Sequence, residues 1–280
     1  MGLAVIGFQK NNRMVCWVVA AVRTVGRLGI FRTVDESPKE YILSDPYRTF
    51  ADLYDRIYHG KDYEKEAGYL RDLLVSEGVS LGSSLLEAGC GTGNYLGYFS
   101  RDFHVSGFDR SPAMLSNAKA KLPGVNLFEA DMADFSILEP VDALVCLFGG
   151  VGYVFPEERL RRAAACFAEA VRPGGCVIVE PWISPEDYDA GRPSVDTYND
   201  PDLAVSRICV AKRDADFSIL NFSYSVAFRD HQVEQFTSSH KIWMAPHSLI
   251  EEVFQEAGFE MRKHPSDSTN FRGLLVGQRR

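Results

Sequence analysis

The sequence predicts an α/β protein: a doubly wound, mostly parallel sheet of seven strands, Rossmann-like, with an inserted antiparallel β lid. Three observations carry this prediction. Leu85 and Leu86 end a short apolar run that leads into Gly89, Gly91 and Gly93, a strand, glycine loop and helix start in succession. Apolar runs of strand length then alternate with helical stretches as far as residue 180. Between 181 and 245 that alternation stops, and β-branched and aromatic residues with partial period-2 spacing replace it.

The elements follow in order. Residues 47–67 read as a helix, with Phe50, Leu53, Tyr54, Ile57 and Tyr58 at helical spacing, and 64–78 as a second helix ending at Gly78. Strands are expected at 84–88, 103–108, 125–129, 141–148 and 176–180. Between them a helix runs from about Asn94. A second starts at Pro112 behind a Ser111 N-cap, and a third covers Glu157 to Val171 with Pro173-Gly174-Gly175 as its stop. A Pro/Asp/Gly-rich connection to 202 precedes three extended runs, 203–212, 216–228 and 232–244, divided by turns at Asp214 and Asp230. A helix over 246–258 and strands at 259–264 and 271–277 return to the main sheet. The expected organisation is a basic, poorly ordered extension (1–40), a ligand-binding α/β domain with covering helices (41–180), an inserted sheet serving as lid, substrate or dimer surface (181–245), and the return to the sheet (246–280).

The net charge of −8 makes a phosphate backbone an unsuitable partner, so no nucleic acid is expected. The six cysteines are scattered without a C-x-x-C pair, which argues against zinc and a disulfide framework and fits a reducing cytoplasm. Residues 1–34 hold five basic residues and no acid. Met14 to Val22 is an apolar run of nine, too short to span a bilayer; a leader-like or peripheral segment and a plain extension are all open readings.

Glu87 stands two residues before Gly89, and the glycines repeat at a spacing of two rather than as G-x-G-x-x-G. A carboxylate there repels a pyrophosphate and suits a ligand carrying an ammonium or a sulfonium. This motif resembles the first motif of the class I S-adenosylmethionine-dependent methyltransferases. The resemblance implies S-adenosylmethionine as cofactor, seated against Glu87, Gly89, Cys90, Gly91 and Gly93. Asp109, about twenty residues on, is suited to both ribose hydroxyls, with Arg110 beside it. Asp131 is suited to the adenine amine and the Met132 amide to the ring. Met114 and Met132 are candidate apolar walls, or ordinary core residues, and Leu147 is a further cofactor contact. Leu147-Phe148-Gly149-Gly150 stands where base-modifying methyltransferases carry an Asn/Asp-Pro-Pro-aromatic motif, and it offers no carboxylates for a catechol-type metal site. A small-molecule acceptor is left.

From about Phe50 to Gly277 the chain resembles the N,N-dimethyltransferases of dTDP-3-amino-3,6-dideoxyhexoses of macrolide sugar pathways. The matching stretches are 50–58 (FADLYDRIY), Lys61-Asp62-Tyr63, Cys90-Gly91-Thr92-Gly93, Glu180-Pro181-Trp182 with Pro185-Glu186-Asp187, and 271–277 (FRGLLVG). The resemblance implies Tyr58 and Tyr153 near the reacting amine, Trp182 against the substrate, and Arg272 on the nucleotide phosphates. The chain departs from the family pattern at Ile183 and over 267–270. A general base is needed only if the amine arrives protonated; Tyr58, Tyr153, His231 and His240 are candidates. N-methylation of an amine is the leading expectation. O- or C-methylation, or cofactor binding without turnover, remain open, and a homodimer is possible. Glu87 disfavours a nicotinamide-dependent oxidoreductase.

Overall fold

Aliphatic and β-branched runs closed by glycine turns make the central sheet. In the computed structural model, residues 4–10, 13–19, 46–264 and 272–280 are described. The chain divides into two units, Met1–Lys39 and Glu40–Arg280. In the first, β1 (Ala4–Lys10) and β2 (Arg13–Val19) pair as an antiparallel hairpin in the stretch expected to be a poorly ordered extension. Residues 1–3, 11–12 and 20–40 of that extension lie outside the described residues, as do 41–45, 267–270 and Phe271.

The second unit opens with α1 (Pro46–Ile57) and α2 (Tyr63–Ser76). Two helices are present as expected, but the first ends at Ile57 instead of running to 67, and the second begins at Tyr63. The break comes where Asp62 turns its side chain onto the Lys65 amide (3.0 Å) and caps a new N-terminus. Then follow β3 (Ser84–Ala88), α3 (Asn94–Phe99), β4 (His104–Asp109), α4 (Pro112–Lys121), β5 (Asn126–Glu129), β6 (Val141–Cys146), a 3₁₀ turn (Gly150–Tyr153), α5 (Glu157–Ala170) and β7 (Val171–Val179). Ser111 caps α4 as its sequence predicts. Pro173-Gly174-Gly175 does not stop α5. The helix ends at Ala170, and these residues lie inside β7, beside a register shift against β6 between Val141 and Ala143.

The seven-stranded sheet has the order β12-β13-β7-β6-β3-β4-β5. β3 to β7 run parallel, and β13 (Leu274–Arg279) is antiparallel to both β7 and β12 (Phe259–His264). Alternate residues feed two cores. Leu86, Leu144, Val177 and Val179 pack with Phe167 of α5 and Phe254 of α6 (His247–Glu256). Leu85, Val145, Ile178 and Val276 pack with Leu70, Leu74 and Phe99 from α2 and α3. Chain order reverses at β3: β4 and β5 lie on one side of it, β6 and β7 on the other. That reversal opens a crevice at the carboxyl ends of β3 and β6, where ligands of open α/β sheets sit.

The inserted segment is a separate four-stranded antiparallel sheet, β11-β10-β9-β8, made of β8 (Pro193–Asn199), β9 (Leu203–Asp214), β10 (Phe217–Phe228) and β11 (Glu234–Trp243). The sequence predicts three of these strands. β8 lies in the stretch read as a connection, because an edge strand paired only to β9 is exposed at most positions and shows little alternation. The inward face carries Leu203, Val205, Cys209, Phe222, Tyr224, Val226 and Phe236. It packs on Ala51, Leu53 and Ile57 of α1 and on Met114 of α4. Among the described residues no helix is long and apolar enough to cross a membrane.

Asp142 ties the start of three parallel strands. Its Oδ2 accepts the Ser84 amide (2.8 Å) and hydroxyl (2.7 Å), and Oδ1 accepts Arg172 Nε (2.6 Å). Burial alone would raise its pKa, but the Ser84 bonds and Arg172 outweigh burial and hold it at about 2. A depressed folded-state pKa gives stability that is present above the unfolded value and lost as pH falls through the folded one. Asp142→Ala is expected to cost about 2 kcal/mol in urea unfolding at pH 7, and the deficit against wild type to shrink between pH 4 and the folded pKa of about 2.

Candidate functional site

The glycine loop bridges β3 and α3. Gly89, Gly91 and Gly93 have φ of 71°, 54° and 77°, values that side-chain-bearing residues adopt at a cost. A Cβ on Gly89 would stand 2.6 Å from Met132 Cε; one on Gly91 would meet nothing within 4 Å, so open space lies over that residue. The Gly91 amide donates to Asp109 Oδ2 (2.8 Å), and Asp109 Oδ1 accepts the Ser111 amide (2.8 Å). Asp109 thus fastens the loop, and burial raises its pKa against the pull of these bonds. The Gly91 amide is thereby already bonded within the protein, and α3 spans six residues.

Glu87 lies beneath the loop, 2% exposed. Its Oε2 has no hydrogen-bond partner, while the carboxylate accepts the Leu96 amide. Burial, and then the nearby Asp109, push its pKa well up. An unpartnered buried carboxylate oxygen costs free energy until a donor or cation meets it. The residues therefore fit a cofactor with a positive charge, and the uncrowded face of Gly91 leaves it room.

The other predicted cofactor contacts fall into two groups. Asp131 holds the Ala133 amide (2.9 Å) and two bonds from Arg159 Nη2 (2.7 and 2.6 Å), with Arg110 at 3.8 Å. Burial raises its pKa less than the Ala133 and Arg159 bonds lower it. Arg159, which anchors this carboxylate, was not legible in the sequence because it lies 28 positions downstream on α5. Met132 reaches under Gly89 and puts its sulfur 3.8 Å from Cys146 Sγ. Met114, Leu147 and Cys90 are instead buried in the core clusters, where Met114 packs between α1 and the inserted sheet. Burial pushes the Cys90 thiol up.

After β6 the chain turns through Phe148, a non-glycine residue at φ 54°. Its amide donates to Glu180 Oε2 (2.6 Å). Glu180 is buried, and burial raises its pKa although Arg272 and Lys61 oppose this. Arg272 stands 3.6 Å from Glu180 Oε1, with its guanidinium 4.3 Å from the centre of the Trp182 ring and 5.4 Å from that of Phe148. Lys61 lies 4.9 Å from the Phe148 ring centre and pairs with buried Glu66, which also accepts the Tyr95 hydroxyl. Trp182 Nε1 and Glu66 Oε1 are buried without partners. Two acids and two bases thus surround Phe148. Arg272, expected on phosphates, faces Glu180 and Trp182.

Tyr58 follows α1 with its ring edge-on to Phe148 (5.3 Å) and 4.7 Å from Tyr54. Its hydroxyl accepts from Arg207 Nη1 (3.1 Å). Arg207, 4% exposed on β9, donates twice to Asp196 Oδ2 (2.9 and 2.7 Å) and lies 4.7 Å from the Tyr58 ring centre and 4.6 Å from that of Phe222. Tyr153, in the 3₁₀ turn, is half-exposed, and its hydroxyl is 3.0 Å from His240 Nδ1 on β11. Burial first, then the phenols of Tyr63, Tyr58 and Tyr153, push Tyr54 up, so these rings share one neighbourhood. His231 is not part of it: it sits in the exposed turn after β10, against Phe228. Arg207 shares the parity of inward Leu203, Val205 and Cys209, but exposed Ile208 and Val210 blur the alternation and nothing local names its partner, so it was missed.

The covering helix is latched to the loop. Asp55 accepts Thr92 Oγ1 (2.6 Å) and Asn94 Nδ2 (2.9 Å) through one oxygen and Lys121 Nζ (2.7 Å) through the other. Asn117 Nδ2 reaches the Ala51 carbonyl (2.8 Å).

Residues 85–175 match a family model described as a methyltransferase domain. The chain is 35% identical over 230 residues to dTDP-3-amino-3,4,6-trideoxy-alpha-D-glucopyranose N,N-dimethyltransferase of Streptomyces venezuelae, covering 81% of this chain and 96% of that one. It is 32% identical over 230 residues to dTDP-3-amino-3,6-dideoxy-alpha-D-glucopyranose N,N-dimethyltransferase of Streptomyces fradiae, covering 81% and 89%. Among solved structures it is similar to Streptomyces venezuelae DesVI, with a TM-score of 0.78, 35% identity and coverage of 82% and 98%. It is also similar to SAM-bound CalS10, an amino pentose methyltransferase from Micromonospora echinaspora, with a TM-score of 0.74, 29% identity and coverage of 81% and 97%.

Asp55→Ala strands the Thr92 hydroxyl, 1% exposed, beneath α1. It is expected to lower unfolding free energy by about 2 kcal/mol and to speed amide exchange in α1 and 89–93, read by hydrogen-exchange mass spectrometry. Asp55→Asn, which keeps an acceptor, restores most of both.

Proposed function

The chain belongs to the S-adenosylmethionine-dependent methyltransferase family that includes the dTDP-aminosugar N,N-dimethyltransferases, and on that premise we propose that it methylates the amine of a nucleotide-linked aminosugar. The observation that carries the cofactor half is the unpartnered, buried oxygen of Glu87 under an open glycine loop. The likeness over four-fifths of the chain to two aminosugar dimethyltransferases supports the substrate half.

S-adenosylmethionine, when bound, supplies an electrophilic methyl group on a good leaving group, so alignment and exclusion of water do most of the work. Glu87 meets its positive end, and Gly89, Cys90, Gly91 and Gly93 shape the cradle. Asp109 keeps lone pairs free for ribose hydroxyls while it holds the loop. Asp131, anchored by Arg159 and flanked by Arg110, and the Met132 amide face the base; Met114 and Leu147 back the site from the core. Tyr58 and Tyr153 orient the amine. Trp182 and Arg272 take the nucleotide, and Arg272 exchanges its 3.6 Å contact with Glu180 for phosphate. Residues 181–245 close over the substrate. The net charge of −8 accords with an enzyme that binds no nucleic acid and the scattered cysteines with a cytoplasmic one, and the inserted sheet offers the face for a homodimer.

Incubation with S-adenosylmethionine and a dTDP-3-amino-dideoxyhexose is expected to add one and then two methyl groups by mass spectrometry; no mass gain on any such aminosugar would overturn the substrate reading. A positive ligand beside Glu87 favours its carboxylate form. Cofactor binding is therefore expected to release a proton and to tighten as pH rises through the raised Glu87 pKa. Calorimetry in two buffers of different ionisation enthalpy checks this. Glu87→Gln should bind about tenfold more weakly, with no proton release.

A further inference from the structure

From the contacts of the inserted sheet we infer that its His240 is a positioning residue for Tyr153 and the acceptor of the proton that the substrate amine gives up. This rests on the proposed methylation of an amine.

The sheet supplies a partner to each of the two tyrosines assigned to the amine. Arg207 on β9 donates to the Tyr58 hydroxyl at 3.1 Å, and His240 on β11 stands 3.0 Å from the Tyr153 hydroxyl. These contacts are held by close packing. A Cβ on Gly152, next to Tyr153, would stand 2.5 Å from Ile242 Cγ2 and 3.1 Å from the Trp243 carbonyl, so the 3₁₀ turn fits β11 only because residue 152 lacks a side chain. The Phe222 ring of β10 lies edge-on to His240 at 5.6 Å and fixes its plane.

The groups facing His240 set its charge. Tyr153 comes from the 3₁₀ turn and Phe222 from β10, with Tyr224 further along that strand, bonded to Ser238. Arg207 comes from β9, stacked on the same Phe222 and backed by Asp196 of β8. Burial, and then the Arg207 guanidinium, lower the His240 pKa, so the ring is neutral at pH 7. The same guanidinium, offset in part by Asp196, disfavours a second cation beside Tyr58 and so favours loss of a proton from the bound amine.

An alkylammonium has no lone pair, and a primary amine arrives largely protonated at neutral pH. In the step, the ammonium N–H bond breaks and its proton passes to the Tyr153 oxygen. The Tyr153 proton passes to Nδ1 of His240, which becomes an imidazolium, and the nitrogen keeps the electron pair. That pair then forms the N–C bond to the methyl carbon, and the C–S electrons leave on sulfur. The new methylammonium must lose a proton in the same way before a second methyl can be added, and His240 returns each proton to solvent.

The test compares wild type, His240→Gln and Tyr153→Phe across pH 6 to 9.5 with a dTDP-aminosugar, alongside nitrogen NMR of histidine-labelled full-length protein. His240→Gln is expected to lose roughly 100-fold in kcat at low pH, with cofactor KM nearly unchanged, and the loss should shrink at high pH as the amine arrives deprotonated. In the NMR arm, a neutral His240 with unprotonated Nδ1 at pH 7, shifted by Tyr153→Phe, is expected. An equal loss at every pH, no loss, or a His240 charged at pH 7 would each overturn the inference. If wild type turns over no aminosugar, the substrate reading falls, and the NMR arm still decides the state of the pair.

Discussion

Five parallel strands with helices on both faces leave no side of the sheet open to solvent, so chemistry has to be done at its edge. The reversal of chain order at β3 picks out where along that edge it happens, because the loops after β3 and β6 diverge there and leave a crevice between them. Glu87 is the penultimate residue of a buried strand, and its burial follows from the sheet. The same constraint makes the glycines necessary: Met132 and Leu122 crowd the loop from below, and Gly91 alone faces open space.

A crevice lined by a buried sheet puts two acids, Glu66 and Glu180, out of reach of water. Glu66, Lys61, Glu180 and Arg272 surround the Phe148 turn with alternating sign. Removing charges from water is expensive, and pairing offsets only part of it. The cluster holds Phe148 in a left-handed conformation through the Glu180 bond and aims its ring at Tyr58. Glu87 has no such basic partner, and one of its carboxylate oxygens is left without a hydrogen bond, which sets it apart from Glu180 and Glu66, each of which faces a basic side chain.

The covering elements are joined to the crevice by polar contacts as well as by apolar packing. Asp55 ties α1 to the loop, and Arg207 and His240 tie the inserted sheet to the two tyrosines. Hydrogen bonds are directional where apolar contacts are not, so they suit positions where a hydroxyl must point one way. The apolar contact that remains, between α1 and the inward face of the sheet, sets the distance between these parts.

Much was legible in the residues alone. Period-2 and helical spacing, the Ser111-Pro112 cap and the glycine turns gave the parallel sheet and three strands of the insertion, since such local patterns follow from backbone geometry. Glu87, Gly89, Gly91 and Asp109 could be picked out because a loop and the next strand end recur at a short spacing. The place of the break between α1 and α2, the edge strand β8 and the continuation of β7 through Pro173 were not legible, since pairing partners and one capping carboxylate decide them. Nor were the bonds of Arg159 to Asp131, Arg207 to Tyr58 and His240 to Tyr153, which join residues 28, 149 and 87 positions apart. A side chain's type is written in the sequence, but its direction and its partner are set by packing of distant segments, which only the tertiary structure decided.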